Sequence, residues 1–142
     1  MTTLSGELIS KLIGKALFMR SRSYSPYSAF SVGAALLAAD GKIYGGCNIE
    51  NAAYPVTICA ERAAMIKAVS EGAREFKAIA VAGGREKDPE GYSFPCGSCR
   101  QFMREFCDSG TFVVITAKSL EDFRIYTLEE LLPNSFGPES LV

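Results

Sequence analysis

The chain has 142 residues, 48% hydrophobic and 22% charged, which is the composition of a globular protein and excludes a disordered one. Its 15 basic and 16 acidic residues leave a net charge of −1, which disfavours a nucleic-acid partner. The absence of histidine excludes histidine nucleophile activation, histidine general bases and histidine metal ligands. The length is typical of one domain, and we expect a single domain over residues 1–142.

The first predicted element is an amphipathic helix. Apolar side chains recur at helical spacing from Leu8 to Leu17, after the candidate N-caps Thr3 and Ser5. Charged residues interrupt the apolar positions of this segment, and no apolar run elsewhere is long enough to cross a bilayer. We therefore expect no signal peptide, no membrane partner and a cytoplasmic location, in which the cysteines stay reduced.

A hairpin and a crossover follow in the middle of the chain. Apolar runs at 32–39 and 42–47 flank the dipeptide Asp40-Gly41, a combination that predicts a β-hairpin. An alanine-rich helix over 58–70 then leads to a fully apolar strand over 76–82. The order strand, helix, strand predicts a parallel crossover that is buried on both faces.

The last third predicts one helix, two strands and a helical turn. These lie at 97–106, 111–116, 123–126 and 128–132, and the short link between the two strands predicts that they pair antiparallel. The whole pattern predicts an α/β fold of three layers, in which helices cover both faces of one mixed five-stranded sheet.

Three of the five cysteines form a pattern typical of a metal site. Cys96 and Cys99 begin one predicted helix and Cys59 begins another, and helix N-termini stabilise thiolates. Three protein ligands leave the fourth zinc position open, as in catalytic zinc sites, so we predict one Zn²⁺ per chain. The alternatives are a structural zinc or free buried thiols. Cys47 and Cys107 are interpreted as small buried hydrophobic residues.

Charged residues beside the cysteines suggest how such a site works. Glu61 is too close in sequence to Cys59 to be a comfortable ligand, but it can exchange protons with a zinc-activated water. Zinc with three thiolates carries one net negative charge, which weakens it as a Lewis acid. We therefore predict that Arg62 hydrogen-bonds a thiolate to offset this charge, and we assign the same role to Arg100.

These motifs resemble those of a known enzyme family. The two segments Cys59-Ala60-Glu61-Arg62 and Pro95-Cys96-Gly97-Ser98-Cys99-Arg100-Gln101 are similar to the signature of the homotetrameric, zinc-dependent cytidine deaminases. Segments outside the zinc motifs that also resemble the family lie at 30–36, 47–52, 131–133 and 135–138. The likeness extends from about residue 24 to the end of the chain.

The resemblance implies a reaction. Free cytidine and deoxycytidine would be hydrolysed to uridine and deoxyuridine with release of ammonia, a step of pyrimidine salvage. Zinc-bound hydroxide would attack C4 while Glu61 shuttles protons. The fold implied is that of the cytidine deaminases, assembled as a homotetramer with shared active sites.

The resemblance also assigns residues to the nucleoside. Asn48 and Glu50 would hold the ribose 3′-hydroxyl, as an amide and a carboxylate can. Phe30 would pack against the pyrimidine, and the backbone amide of Ala60 would reach the ring carbonyl. Phe136 and Tyr54 would lean into the site of a neighbouring subunit.

Two other functions stay open at this point. One is a zinc deaminase acting on a related substrate, such as an aminonucleoside antibiotic, a nucleotide or a polynucleotide base. The other is a non-catalytic zinc-binding module. The pair Asn48 and Glu50 favours a ribose, the lack of a basic cluster disfavours a polynucleotide, and Glu61 disfavours a module without catalysis.

Overall fold

The computed structural model describes residues 4–141 and shows a mixed five-stranded sheet with helices. The strands are β1 Ser31–Ala38, β2 Ile43–Cys47, β3 Phe76–Gly84, β4 Val113–Ala117 and β5 Phe123–Thr127. The helices are α1 Gly6–Met19, α2 Ala60–Ser70, α3 Gly97–Phe106 and α4 Leu128–Leu131. Ser5 caps α1 by accepting a hydrogen bond from the Leu8 amide, whereas the other candidate cap, Thr3, lies outside the described residues.

The strand order is β2-β1-β3-β4-β5. The predicted hairpin is confirmed, because β1 and β2 pair antiparallel around Gly41, whose φ of 94° suits glycine. β1 also pairs antiparallel with β3, β3 pairs parallel with β4, and β4 pairs antiparallel with β5. The predicted crossover through α2 does join parallel strands, but β1 lies between them.

The sheet is covered on both faces, as the sequence predicts. Along β1, Ala34 and Leu36 face a core shared with α2, α3 and α4, whereas Ala35 and Leu37 face a core shared with α1. This alternation is the period-2 pattern of a strand that is buried on both sides. The result is three layers, with α1 alone on one face of the sheet and the other three helices opposite.

The alanines of α2 allow this helix to pack closely on the sheet. A Cβ on Gly46 of β2 would lie 2.5 Å from the carbonyl oxygen of Ala60 and 2.5 Å from the amide nitrogen of Ala64. Only glycine therefore permits this approach, which seats the first turn of α2 directly on β2. Packing on the sheet explains the small residues of this helix. No helix within residues 4–141 is long and apolar enough to span a bilayer.

Candidate active site

The three predicted metal ligands meet where two helices begin. Cys59 is the N-cap of α2 and Cys96 is the N-cap of α3, while Cys99 lies in the first turn of α3. The Sγ atoms of Cys59 and Cys96 are 3.8 Å apart, and those of Cys96 and Cys99 are 3.6 Å apart. All three sulfurs lie within 4.8 Å of one another. The N-terminal ends of both helices therefore point partial positive charge at one cluster of thiols.

The spacing of the sulfurs fits zinc. A tetrahedral zinc with Zn–S bonds of about 2.3 Å holds its sulfurs about 3.8 Å apart, close to the two separations in this cluster. Hydrogen bonds with Cys99 and Arg62 lower the pKa of Cys59 to about 5, whereas the bond to Cys59 and burial raise the pKa of Cys99. A cation that joins all three sulfurs would offset the charge of their thiolate forms.

Glu61 is a buried carboxyl group next to this cluster. Its residue is only 4% exposed, although it lies in the first turn of α2, where acidic residues are usually solvated. Burial, and to a smaller extent the negative charge of Cys59, raise the pKa of Glu61 to about 7. A carboxyl group that titrates near neutral pH can both accept and donate a proton under ordinary conditions.

The two arginines behave differently. The Nη2 of Arg62 donates to the Thr57 carbonyl at 3.1 Å and lies 3.7 Å from the Cys59 sulfur. Arg100 instead donates to the carbonyl oxygens of Pro95 at 2.7 Å and Leu131 at 2.6 Å. The prediction that Arg100 hydrogen-bonds a thiolate is therefore wrong, because its hydrogen-bond partners are these two backbone oxygens and not a sulfur.

A cavity of about 430 Å³ opens beside the cysteines, within the range of small-molecule sites. Six of the predicted site residues line it, namely Phe30, Asn48, Cys59, Ala60, Glu61 and Cys96. Ala60 follows the N-cap of α2, so its amide is among those that have no carbonyl partner within the helix.

Sequence reasoning missed six residues that also line this cavity: Val32, Thr57, Val81, Tyr92, Ser93 and Phe94. A signal did exist for the four of them that do not lie in strands. Thr57 comes two positions before Cys59, and Tyr92 to Phe94 lead directly into Pro95-Cys96. Loop residues next to metal ligands in the sequence also lie next to them in the structure, so they line the same site.

Asn48 has a structural task in addition to the one predicted for it. The residue is 8% exposed. Its Oδ1 accepts from the Ser23 hydroxyl at 2.5 Å and from the Val32 amide at 2.9 Å, and its Nδ2 donates to the Phe30 carbonyl at 2.8 Å. Asn48 thereby fixes the backbone that presents Phe30, and one N–H of its amide keeps a free donor position.

Glu50 lies in a neighbouring cavity of about 320 Å³, which shares Thr57 with the first. Its carboxylate accepts hydrogen bonds from the amides of Tyr27 and Ser28, at 2.9 and 3.2 Å, and from the Ser28 hydroxyl. The Ser28 hydroxyl and these amides hold the pKa of Glu50 below its usual value. One carboxylate oxygen keeps a lone pair for a ligand.

The two remaining predicted site residues are exposed aromatics. Tyr54 is 70% exposed, lines the cavity of Glu50 and contacts Tyr27 edge-on at 5.9 Å. Phe136 is 58% exposed and does not line the cysteine cavity of its own chain. Its backbone carbonyl accepts from Gln101 of α3, and the Ser135 hydroxyl accepts from Arg104. The tail is thus attached to α3 of its own chain, with the Phe136 ring left uncovered.

The two other cysteines differ from each other. Cys107 is buried, and burial raises the pKa of its thiol to about 12. Cys47 is only half-buried, and its thiol donates to the Arg22 carbonyl at 3.3 Å. The interpretation as a small buried hydrophobic residue is therefore confirmed for Cys107 and wrong for Cys47.

Comparisons with known proteins agree with this geometry. Residues 7–116 match the family model described as the cytidine and deoxycytidylate deaminase zinc-binding region. The chain is 50% identical over 133 residues to a cytidine deaminase of Sporosarcina psychrophila, covering 94% of each. It is 45% identical over 130 residues to that of Halalkalibacterium halodurans, covering 92% of this chain and 95% of that one.

Solved structures give the same result. The crystal structure of cytidine deaminase from Burkholderia pseudomallei matches with a TM-score of 0.81 and 44% identity, over 89% of this chain and 97% of that one. That of Mycobacterium tuberculosis matches with a TM-score of 0.76 and 35% identity, over 89% and 95% of the two chains.

Proposed function

Because this chain belongs to the family of zinc-binding cytidine and deoxycytidylate deaminases, we propose that it hydrolyses free cytidine and deoxycytidine to uridine and deoxyuridine with release of ammonia. One observation carries the proposal. Three sulfurs at the spacing of zinc ligands lie next to a buried carboxyl group, and Glu61, Cys59 and Cys96 line one cavity. A structural zinc site would need neither the cavity nor the acid.

The residues divide the work of deamination. Cys59, Cys96 and Cys99 would hold the metal, which when bound acts as a Lewis acid that activates water near neutral pH. Glu61 takes a proton from the attacking water, whose oxygen bonds to C4, and delivers that proton to the ring nitrogen N3. It then moves the proton of the new C4 hydroxyl to the amino group, so that the C4–N bond breaks, a C4 carbonyl forms and ammonia leaves as a neutral molecule. A pKa near 7 suits a group that must gain and lose a proton in one cycle.

Arg62 balances the charge of the ligands. Three thiolates around a divalent ion leave one excess negative charge, and the guanidinium 3.7 Å from the Cys59 sulfur lies where it can offset that charge. The N-termini of α2 and α3 act in the same direction. By withdrawing electron density from one sulfur, Arg62 preserves the strength of the metal as a Lewis acid.

The nucleoside is placed by loops and by the first turn of α2. Phe30 packs against the pyrimidine and the amide of Ala60 donates to the ring carbonyl. The free N–H of Asn48 and the free lone pair of Glu50 are matched to a sugar hydroxyl, which can both accept and donate. This pairing supports a nucleoside as the substrate rather than a free base.

The active enzyme is proposed to be a cytoplasmic homotetramer, in which one catalytic domain spans each chain. Tyr54 and Phe136 carry this part of the proposal, because large aromatic side chains that stay exposed often mark an interface. Each would complete the site of a neighbour, and neither nucleic acid nor a membrane would be a partner.

Ultraviolet absorbance tests the substrate class. The protein is mixed with cytidine, deoxycytidine, cytidine monophosphate or adenosine, and loss of the cytosine band is expected with the first two alone. The variant Glu61→Gln, loaded with zinc to the same extent, is the control. Turnover of the monophosphate or of adenosine, or no turnover of the nucleosides, would replace this substrate with another.

A further inference from the structure

A buried arginine lies outside the chemistry described above. Arg20 begins the 3₁₀ turn that follows α1, and the residue is only 8% exposed. Its guanidinium donates to four backbone carbonyl oxygens, those of Ser31 at 3.1 Å, Gly84 at 2.9 Å, Glu86 at 2.6 Å and Lys87 at 2.8 Å. One side chain therefore joins the end of α1, the start of β1 and the end of β3.

The backbone around Arg20 is shaped to admit it. A Cβ on Gly33 would lie 1.9 Å from the carbonyl oxygen of Ala16 and 2.8 Å from the amide nitrogen of Arg20, so only glycine lets α1 end this close to β1. Burial lowers the pKa of Arg20, while the carboxylates of Asp88 and Glu90 act against that change. The positive charge of Arg20 is thus stabilised by the carbonyl oxygens that accept its hydrogen bonds and by the carboxylates of Asp88 and Glu90.

The carbonyls that Arg20 binds begin the loop that walls the cavity. This loop runs from the end of β3 to the start of α3, and its later residues Tyr92, Ser93 and Phe94 line the cavity before Cys96. Its far end is held by Arg100 through the Pro95 carbonyl. Its first residues, 84–87, are held by Arg20.

The middle of the loop has a separate anchor. The Tyr92 hydroxyl donates to the Asp122 carboxylate, and the guanidinium of Arg124 lies 4.2 Å from the centre of the Tyr92 ring. The partners Asp122 and Arg124 are exposed, so these contacts constrain the loop less than the buried guanidinium does. Phe94 in addition contacts Tyr126 of β5, with ring centroids 5.5 Å apart. Arg20 is therefore the buried anchor of the first part of the loop, and Arg100 and Tyr126 hold its far end.

We propose that Arg20 is a positioning residue, which fixes the loop over 84–94 and thereby sets how tightly the cavity holds the pyrimidine. The inference rests on the proposed function, since it concerns the same cavity. Arg20 touches no residue assigned to the metal or to proton transfer. Its loss should therefore weaken substrate binding and leave the proton chemistry largely intact.

The test compares Arg20→Gln with Arg22→Gln, which removes an exposed arginine two positions away. We expect Arg20→Gln to keep one zinc per chain and to raise KM about tenfold, equivalent to about 1.4 kcal/mol of binding free energy, because a loosened cavity wall holds the pyrimidine less tightly. Its kcat should stay within about twofold of the parent, as expected where uniform binding is lost. Arg22→Gln should change neither constant.

Limited trypsin digestion gives a readout that does not depend on activity. Cleavage after Arg85 and Lys87, both in the exposed part of the loop, should accelerate in Arg20→Gln, while cleavage after Arg74 in another exposed turn should not. Arg20→Lys, which keeps the charge but lacks the guanidinium fork, should show both effects to a smaller degree. It also replaces Arg20→Gln if that variant does not fold.

Three results would overturn the inference. They are an unchanged rate of loop cleavage, an equal acceleration after Arg74, and a fall in kcat at constant KM. If the parent protein does not deaminate cytidine, the proposed function fails, and digestion alone then decides whether Arg20 holds the loop.

Discussion

The metal end and the proposed sugar end of the active site are built from different kinds of structure. At the metal end, Cys59 and Cys96 are N-caps of helices that pack on the sheet, and Glu61 is buried in the first turn of α2. At the sugar end, Glu50 is held by loop amides, and Tyr54 is exposed. The contrast leads us to propose that one chain is sufficient for the chemistry, whereas holding the nucleoside depends on loops and on neighbouring chains.

The largest expected effect comes from changing the metal end alone. Glu61→Gln keeps the size of the side chain but removes the proton carrier, so kcat should fall by more than the roughly 10²–10⁴-fold typical of one acid–base contact. Zinc content and KM should change little, because the sugar end is untouched. Glu71→Gln, which alters an exposed carboxylate at the other end of α2, is the matched control. Steady-state kinetics that retain a tenth of the parent kcat would remove Glu61 from the mechanism.

A second experiment asks whether the sugar end is shared between chains. A Glu61→Ala chain and a chain that stops after Ser135 are each expected to be inactive. When their subunits are exchanged at equal concentrations, about a quarter of the sites should combine an intact Glu61 with an intact Phe136 from a neighbour in a closed oligomer. Activity should then return in part.

The control for this mixture is exchange of each inactive chain with itself, which should give no activity. Exchange that is visible by native mass spectrometry but restores nothing would confine Phe136 to its own chain. A protein that light scattering shows to be a monomer, and that is fully active in the assay, would equally contradict a shared site.

A smaller effect is expected at the sugar end itself. Glu50→Ala should lower kcat/KM for cytidine by a factor equivalent to about 1–3 kcal/mol of transition-state stabilisation, because the partner of a sugar hydroxyl is lost. The substitution also removes the hydrogen-bond acceptor of the Tyr27 and Ser28 amides, so part of the loss in kcat/KM should be the same for every nucleoside. With 3′-deoxycytidine, only this shared part of the loss should remain. Equal penalties for the two nucleosides would show that Glu50 does not bind the 3′-hydroxyl.

The smallest effect concerns the loop that presents Phe30. Ala29 is exposed and has a φ of 59°, a left-handed conformation that costs a non-glycine residue about 1 kcal/mol or more. Asparagine tolerates this region better, so Ala29→Asn should raise the free energy of unfolding by about 0.5–1 kcal/mol. Urea denaturation measures it. A loss of stability would mean that the Ala29 backbone is not strained.

The same contrast explains what the sequence could predict. Cys59, Glu61, Cys96 and Cys99 lie within two short segments, and thiols at helix starts suggest a metal whatever the rest of the fold. The alternation along β1 predicts that both of its faces are buried, but it does not say which strands lie beside it. The position of β1 between β2 and β3 therefore came only from the structure.

Hydrogen bonds from side chains to backbone carbonyls far away in the sequence could not be predicted. Arg20 follows a helix, where an arginine is usually solvated, and three of its partners are carbonyls more than sixty positions away. A carbonyl acceptor carries no sequence signature. The prediction for Arg100 was wrong for the same reason. Its place beside Cys99 suggested a hydrogen bond to a thiolate, whereas its partners are the carbonyls of Pro95 and Leu131.

We propose that Cys59, Cys96 and Cys99 hold a catalytic zinc that keeps one position open to solvent. X-ray absorption at the zinc edge of the metal-loaded protein tests this most directly. We expect one zinc per chain with three sulfur neighbours at about 2.3 Å and one oxygen or nitrogen neighbour at about 2.0 Å. Four sulfur neighbours would contradict it, because a zinc closed by sulfur has no position left for water and would make the site structural.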